Sequence, residues 1–329
     1  MKLLSALLYV VVGIGAGVAV YWILNKIAEL LPNKAEERVK PFLYILPAYL
    51  AISIYLIYPT IVTVFRSFQH QAGAEWQSVG LRNYTELLQS SDFRDALFNT
   101  VLWIIIVPAL TVALGLAVAT LADRLRPTSE NLAKTVIFLP MAVSMVGAST
   151  VWKFVYAYNA SPDSKDQVGL LNAVKTAVGG DPTPWLQNDT FHLNSLLLMV
   201  ILLWSQVGYS MVLLSAAVKG VPVDTLEAAR IDGASDRQIF FQVVVPQIKG
   251  TLVTVFVTVL ISVMKIFDVV YVTTGGQFNT NVIGNAFFKM FNTNFDYGKS
   301  YAIVVMLMIA IIPVMIFQVR HFKQEEANL

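Results

Sequence analysis

Cysteine is absent from the 329 residues, and charge is scarce: 13% of the side chains are Asp, Glu, Lys or Arg, against about 25% in ordinary soluble domains. Without cysteine there is no disulfide, no thiolate nucleophile and no cysteine-held zinc or iron–sulfur centre, and the redox compartment stays undetermined. Histidine is nearly missing as well. His70, His192 and His321 lie far apart and outside the apolar runs, so no histidine cluster has metal-ligand spacing. The 23 basic and 21 acidic residues leave a net charge of +2, too little for an electrostatic footprint on nucleic acid. The chain also lacks a G-x-x-x-x-G-K-[ST] run, and with it that means of holding ATP, and a G-x-S-x-G elbow. What it has in excess is apolar surface, 56% of all residues, more than a water-soluble fold can cover.

Those apolar residues fall into seven stretches of about 20, the length a helix needs to cross roughly 30 Å of hydrocarbon. They run over 3–24, 43–65, 97–121, 135–157, 194–218, 251–273 and 301–318. Alternating ten-residue strands are missing, so the expected fold is an all-α polytopic membrane helix bundle with about seven transmembrane helices, and a β-barrel is rejected. Lys and Arg are retained on the cytoplasmic side. One alternate set of loops carries thirteen of them and the other eight, which predicts the N-terminus outside and the C-terminus inside. The first run exceeds a signal-peptide core and is followed by the basic Lys26–Lys40 segment, so it reads as a retained extra helix. The predicted division is therefore 1–41, an additional helix with a cytoplasmic linker, and 42–329, the transmembrane domain. Two loops, 66–96 and 158–193, are the main places for structure outside the membrane; the second, with Pro162, Gly179, Gly180, Pro182 and Pro184, reads as a turn-rich cap.

The most ordered local code lies in a loop, 219–250. Asp224 with Glu227 three residues on reads as a capping box opening one short helix, and Gly233 as its left-handed stop. Ser235 with Gln238 opens a second helix that Pro246 is expected to end. Leu226, Ala229, Ile239, Phe240 and Val243 supply apolar faces. The run Glu227-Ala228-Ala229, then Gly233, then Val243 and Val245-Pro246, resembles the EAA signature of permease subunits in binding-protein-dependent ABC importers. Gly220-Val221-Pro222, Ile231-Asp232-Gly233-Ala234, Phe267-Asp268-Val269-Val270-Tyr271 and Gly275-Gly276 are similar to the maltose-type carbohydrate branch of that family. Val243 and Val245 stand where Ile and Leu are common there.

The resemblance covers Leu43 to the C-terminus and implies a six-helix core with one added helix, in a bacterial inner membrane. It also implies that Glu227, Ala228, Ala229, Asp232, Gly233 and Pro246 belong to a coupling helix seated on an ATPase subunit. ATP and Mg would be used by that separate ATPase dimer, and the chain itself would be no enzyme and hold no cofactor. A second related permease, an extracytoplasmic sugar-binding protein, the sugar and the lipid bilayer complete the implied partners. The missing large extracytoplasmic domain points to importers of α-glucosides and disaccharides.

Polar residues inside the apolar runs are functional candidates. Lys265 and Asp268, three apart, could share a helix face and neutralise one another. Thr258, Ser262 and Lys265 draw a polar stripe, and Trp204, Ser205, Gln206 and Tyr209 cluster near the middle of the fifth run. Flat aromatic faces with amide and hydroxyl groups suit sugar rings, and the resemblance places sugar contacts on these two spans. Helix packing by small and polar residues is the competing explanation. Among functions, an ion-coupled secondary transporter is the alternative to a sugar permease, but inverted repeats are not evident. An intramembrane hydrolase would need a nucleophile and base in reach, and no His lies in a span.

Overall fold

The computed structural model describes residues 2–30, 32–159 and 168–327. Contacts divide the chain into two units, 1–65 and 66–329. In the first, α1 (Lys2–Glu29) pairs with α2 (Asn33–Ile52), which passes through a wide turn at Ser53–Ile57 into α3 (Tyr58–Ser67). Tyr44 stacks on Tyr21 with ring centroids 6.0 Å apart, and its hydroxyl donates to Asn25 Oδ1 at 2.8 Å. Almost none of the apolar surface of these helices is buried within the chain. Lipid or another helix must cover it, because water cannot do so at acceptable cost. The expected 41/42 boundary falls inside α2, and the contact division follows Phe65.

The second unit opens with an antiparallel hairpin, β1 (Gln69–Ala72) and β2 (Glu75–Ser78), followed by α4 (Arg82–Gln89) and the long α5 (Ser91–Ala122). After α5 come α6 (Pro127–Phe138), α7 (Met145–Val155), α8 (Leu170–Ala177) and α9 (Leu193–Lys219). The core is built where α5, α9 and α13 (Lys249–Met264) meet, on fully buried Trp103, Val107, Leu198, Met211, Leu214 and Val255. Small residues permit that closeness. A Cβ on Gly115 would stand 2.2 Å from Ser210 Oγ, and one on Gly208 2.5 Å from the Ile137 carbonyl oxygen.

Among the described residues five helices are long and apolar enough to cross a membrane, over 5–29, 35–67, 91–122, 190–219 and 297–320. Among the same residues two further apolar pairs are bent, and counting each as one span gives the expected seven. In the fourth run α6 tightens through Leu139–Ala142, the chain extends at Val143, and Ser144 caps α7, whose axis turns by 103°. Pro140 and the capping serine are the local causes. The sixth run breaks once, after α13, and a bend lies just before it. A 69° bend at Ile248 precedes α13, and residues 265–267 separate α13 from α14 (Asp268–Thr273). The chain ends with α15 (Ile283–Asn292) and α16 (Tyr297–Ala327).

The loop expected to be merely turn-rich contains α8 and is pinned by one buried amide. Asn172 Nδ2 donates to the carbonyls of Ala157 and Thr183, and its Oδ1 accepts from Thr183 N and Trp185 Nε1. Pro162 lies outside the described residues.

Candidate functional site

The loop after α9 folds into α10 (Val223–Ile231), then α11 (Asp236–Gln238), a wide-turn segment Ile239–Val244, and α12 (Val245–Gln247). Pro222, not Asp224, occupies the cap position of α10, and no side chain caps it. Proline's fixed φ already sets the entry, so Asp224 sits within the first turn, where its carboxylate favours the positive end of the helix. The end is as the residues require: Gly233 has φ +82°, its N–H reaches Arg230 O, and Ala234 N reaches Ala229 O. Ser235 and Gln238 form the reciprocal capping box. Pro246 does not end the second helix. The wide turns before it place it in the first turn of α12, where a missing N–H needs no partner, and the stop comes at Ile248.

Spacing then sorts α10 into two faces. Leu226 and Ala229 join Val221, Ile239, Val244 and Ile248 in a cluster that packs on Leu116 of α5, Ala217 and Val218 of α9, and Leu252 of α13. Asp224, Glu227, Ala228 and Ile231, at intervals of three, one and three, form the other face and are exposed. Ile231 is 86% exposed, and Glu227 has no ion-pair partner among the described residues. Asp232, Gly233 and Pro246 are exposed too. A free carboxylate, a small alanine and an uncovered isoleucine on one short helix make a surface suited to a groove with a basic group in it.

Just above this loop an ionic joint ties three helices together. Lys134 Nζ lies 2.7 Å from Asp123 Oδ1 and 2.6 Å from Glu130 Oε1, and also donates to Ser215 Oγ, which itself donates to Asp123 at 3.0 Å. Lys219, at the end of α9, donates to Glu130. The carboxylates of Asp123 and Glu130 are 16% and 13% exposed, so the groups are fixed rather than fully solvated. In the sequence Lys134 and Lys219 are only two of the thirteen basic residues in one set of loops. The i,i+4 spacing of Glu130 and Lys134 was the available signal.

The spans distribute the other candidates unevenly. Trp204 and Gln206, about 200° apart on a helix, cannot share a face. Trp204 packs edge-on against Trp152, 5.9 Å between centroids, in a carbon-lined groove with Val136, Pro140 and Val200, and Ser205 is buried. Gln206 and Tyr209 do share a face. Both are half-buried, and neither side chain hydrogen-bonds to another described residue. On α13 the polar stripe is longer than predicted: Thr251, Thr254, Thr258, Ser262 and Lys265 follow at intervals of three, four, four and three, and none is buried. Thr258 Oγ1 donates to Thr254 O and Ser262 Oγ to Thr258 O, which leaves hydroxyl lone pairs outward. Lys265 and Asp268 form no ion pair; Lys265 lies in the break at 265–267, whereas Asp268 opens α14.

Comparison with known proteins bears on this arrangement. Residues 109–324 match the family described as "binding-protein-dependent transport system inner membrane component". The chain is 40% identical to the alpha-glucoside transport system permease protein AglF of Rhizobium meliloti across 99% of both chains. It is 45% identical to the osmoprotective compounds uptake permease protein GgtC of Synechocystis sp., over 86% of this chain and 99% of that one. The fold is similar, with a TM-score of 0.74 at 18% identity, to a chain in the crystal structure of a bacterial ABC transporter that imports the acidic polysaccharide alginate, covering 88% and 98%.

Proposed function

Since the chain belongs to the binding-protein-dependent transport system inner membrane component family, we propose that it is one of two permease subunits of an ATP-driven importer for an α-glucoside-like carbohydrate. The observation that carries the mechanism is the two-faced α10. Its inner face packs on the ends of α5, α9 and α13, and its outer face, Glu227, Ala228 and Ile231, is uncovered. An ATPase subunit seated on that outer face would, as it closes on ATP and Mg, push α10 against the same α9 and α13 that carry Gln206, Tyr209, Thr258 and Ser262. The ionic joint of Asp123, Glu130, Lys134 and Lys219 adds α6, the first half of the broken fourth span. The movement reaches the sugar path through packed groups, without a separate lever.

Unpaired Gln206 and Tyr209 and the hydroxyl stripe of α13 are the substrate path in this reading. Polar groups in hydrocarbon are costly unless something satisfies them, and sugar hydroxyls do. Lys265 and Asp268, at the break above α13, would line its far end. Trp204 and Ser205, in an apolar groove and in the core, support the helices from behind. The loop carrying α10 lies in the cytoplasm with the C-terminus, the N-terminus is outside, and α1 is an addition to a six-helix core. A second related permease supplies the rest of the path, and an extracytoplasmic binding protein delivers the sugar. A secondary ion-coupled transporter is set aside by the family.

The test is transport by the reconstituted complex. Gln206→Leu, Tyr209→Ala and Ser262→Leu should each weaken sugar affinity about 5- to 150-fold, the cost of one unpaired hydroxyl, while ATP hydrolysis persists. Competition among a panel of glucosides and disaccharides measures it. Unchanged affinities in all three variants would remove the substrate path from these helices.

A further inference from the structure

At the end of α9 opposite the α10 loop, about 40 Å away along a 27-residue helix, two adjoining cavities open between the start of α5, the 274–281 loop and α15. Their volumes are about 400 and about 170 Å³, and they share Asp92, Asn281 and Lys289. The smaller adds Asp95, Asn279 and the ring of Phe278, which is 44% exposed.

The loop that holds these groups is over-determined. Asn99 Nδ2 donates to Asn279 O at 2.6 Å and Asn281 O at 3.0 Å, Asn194 Nδ2 donates to Phe278 O at 2.6 Å, and Asn285 Nδ2 donates to Asn281 Oδ1 at 2.7 Å. Phe278 and Asn279 are held left-handed, φ +54° and +57°. A phenylalanine rarely adopts that region, so the ring is presented where it stands by the amides beneath it.

The charges around the basin differ from those beside it. Glu86, on the rim of the larger cavity, is already paired: Lys299 at 2.9 Å and Arg82 at 2.6 Å hold its carboxyl down to about 2. The side chains of Asp95 and Lys289 have no hydrogen bond or ion pair to any described residue, and that of Asp92 has only a 3.5 Å contact from Ser91 Oγ. An anion would face two carboxylates there, and a cation would face Lys289. Among the described residues no group of three or more metal-ligating side chains occurs. A neutral polyhydroxyl ligand suits the groups left open: its hydroxyls donate to the aspartates and to Asn279 Oδ1, and accept from Lys289 and Asn281 Nδ2, while Asn279 Nδ2 and Asn281 Oδ1 are already engaged within the chain and the C–H face lies on Phe278.

We infer that this basin is a second carbohydrate site of hexose or disaccharide size, a holding site at the outer end of the permease, distinct from the path between α9 and α13. The inference rests on the carbohydrate reading above, and the volume falls within the usual range for small-ligand pockets, roughly 300–1,000 Å³.

The test uses the complete transporter in nanodiscs without binding protein, with radiolabelled maltose, trehalose and sucrose as probes in equilibrium dialysis. Uptake KM is then measured in proteoliposomes with binding protein present. Phe278→Ala and Asp95→Asn should each weaken binding of the probe that the wild type holds by about ten-fold and raise its uptake KM, and Phe278→Tyr, which keeps the ring, should restore both. Wild-type transport with unchanged probe binding and KM in both variants overturns this inference alone. Weaker capture of the binding protein with sugar binding intact also overturns it and makes the basin a protein-docking surface. Uptake of none of the three sugars by the wild type contradicts the carbohydrate reading and this inference with it.

Discussion

Replacing Ile231 with aspartate should abolish uptake while the permease still reaches the membrane in normal amount. Ile231 is 86% exposed and supports nothing in its own chain, so folding does not need it. In a docked complex its burial contributes about 2 kcal/mol, and an aspartate there would put an unpaired charge into the interface beside Glu227. Loss of both terms is worth about 100-fold or more in affinity for the ATPase. Glu227→Lys should act alike through charge reversal, and Gly233→Pro through the left-handed turn that proline cannot adopt. Uptake in membrane vesicles together with retention of the ATPase on an affinity column measures all three. Normal uptake in all three variants would remove α10 from the coupling role.

Gly208→Leu should instead remove the protein itself. The position faces backbone, with Ile137 O at 2.5 Å and Phe138 Cα at 2.7 Å from where a Cβ would stand, and backbone cannot swing aside as a side chain can. Overpacking in a closed core costs about 1–3 kcal/mol, and here a branched side chain must also part α9 from α6. Little monodisperse protein is expected after detergent extraction, and what survives should melt several degrees lower. Gly208→Ala, smaller by three carbons, should fall between. Thermal midpoints by size-exclusion chromatography after heating give the comparison, and an unchanged midpoint for the leucine variant would contradict the close approach of the two helices.

Hydropathy located all seven apolar runs because burial in lipid requires only length and composition. It could not see where those runs break. Pro140 followed by Ser144, and the Lys265–Phe267 interruption before Asp268, are stop signals inside stretches whose average hydropathy stays high. A helix was therefore assumed to continue through Lys265, and the ion pair with Asp268 was drawn across a gap. The loop carrying α10 was the more legible part. Gly233 and the Ser235–Gln238 box are local code, fixed by neighbours within five residues. Pro222 displaced Asp224 from the cap because two good starts compete two residues apart. The Trp204–Tyr209 cluster divides for a simple reason: nearness in sequence is not nearness on a helix, and 100° per residue parts Trp204 from Gln206. The ionic joint and the outer basin depend on contacts between residues more than 80 positions apart, such as Lys134 with Ser215 and Asn99 with Asn281, which one sequence does not display.

The absence of cysteine allows the central claim to be tested with a single introduced thiol. Ile231→Cys, joined to a short bifunctional cross-linker in membranes holding the whole transporter, should form one adduct with the ATPase subunit, and in intact cells the thiol should be shielded from a membrane-impermeant maleimide. An Ile231→Cys thiol that is labelled from outside intact cells, or that cross-links to the extracytoplasmic binding protein instead of the ATPase, would contradict both the orientation and the assignment of α10 as the docking helix.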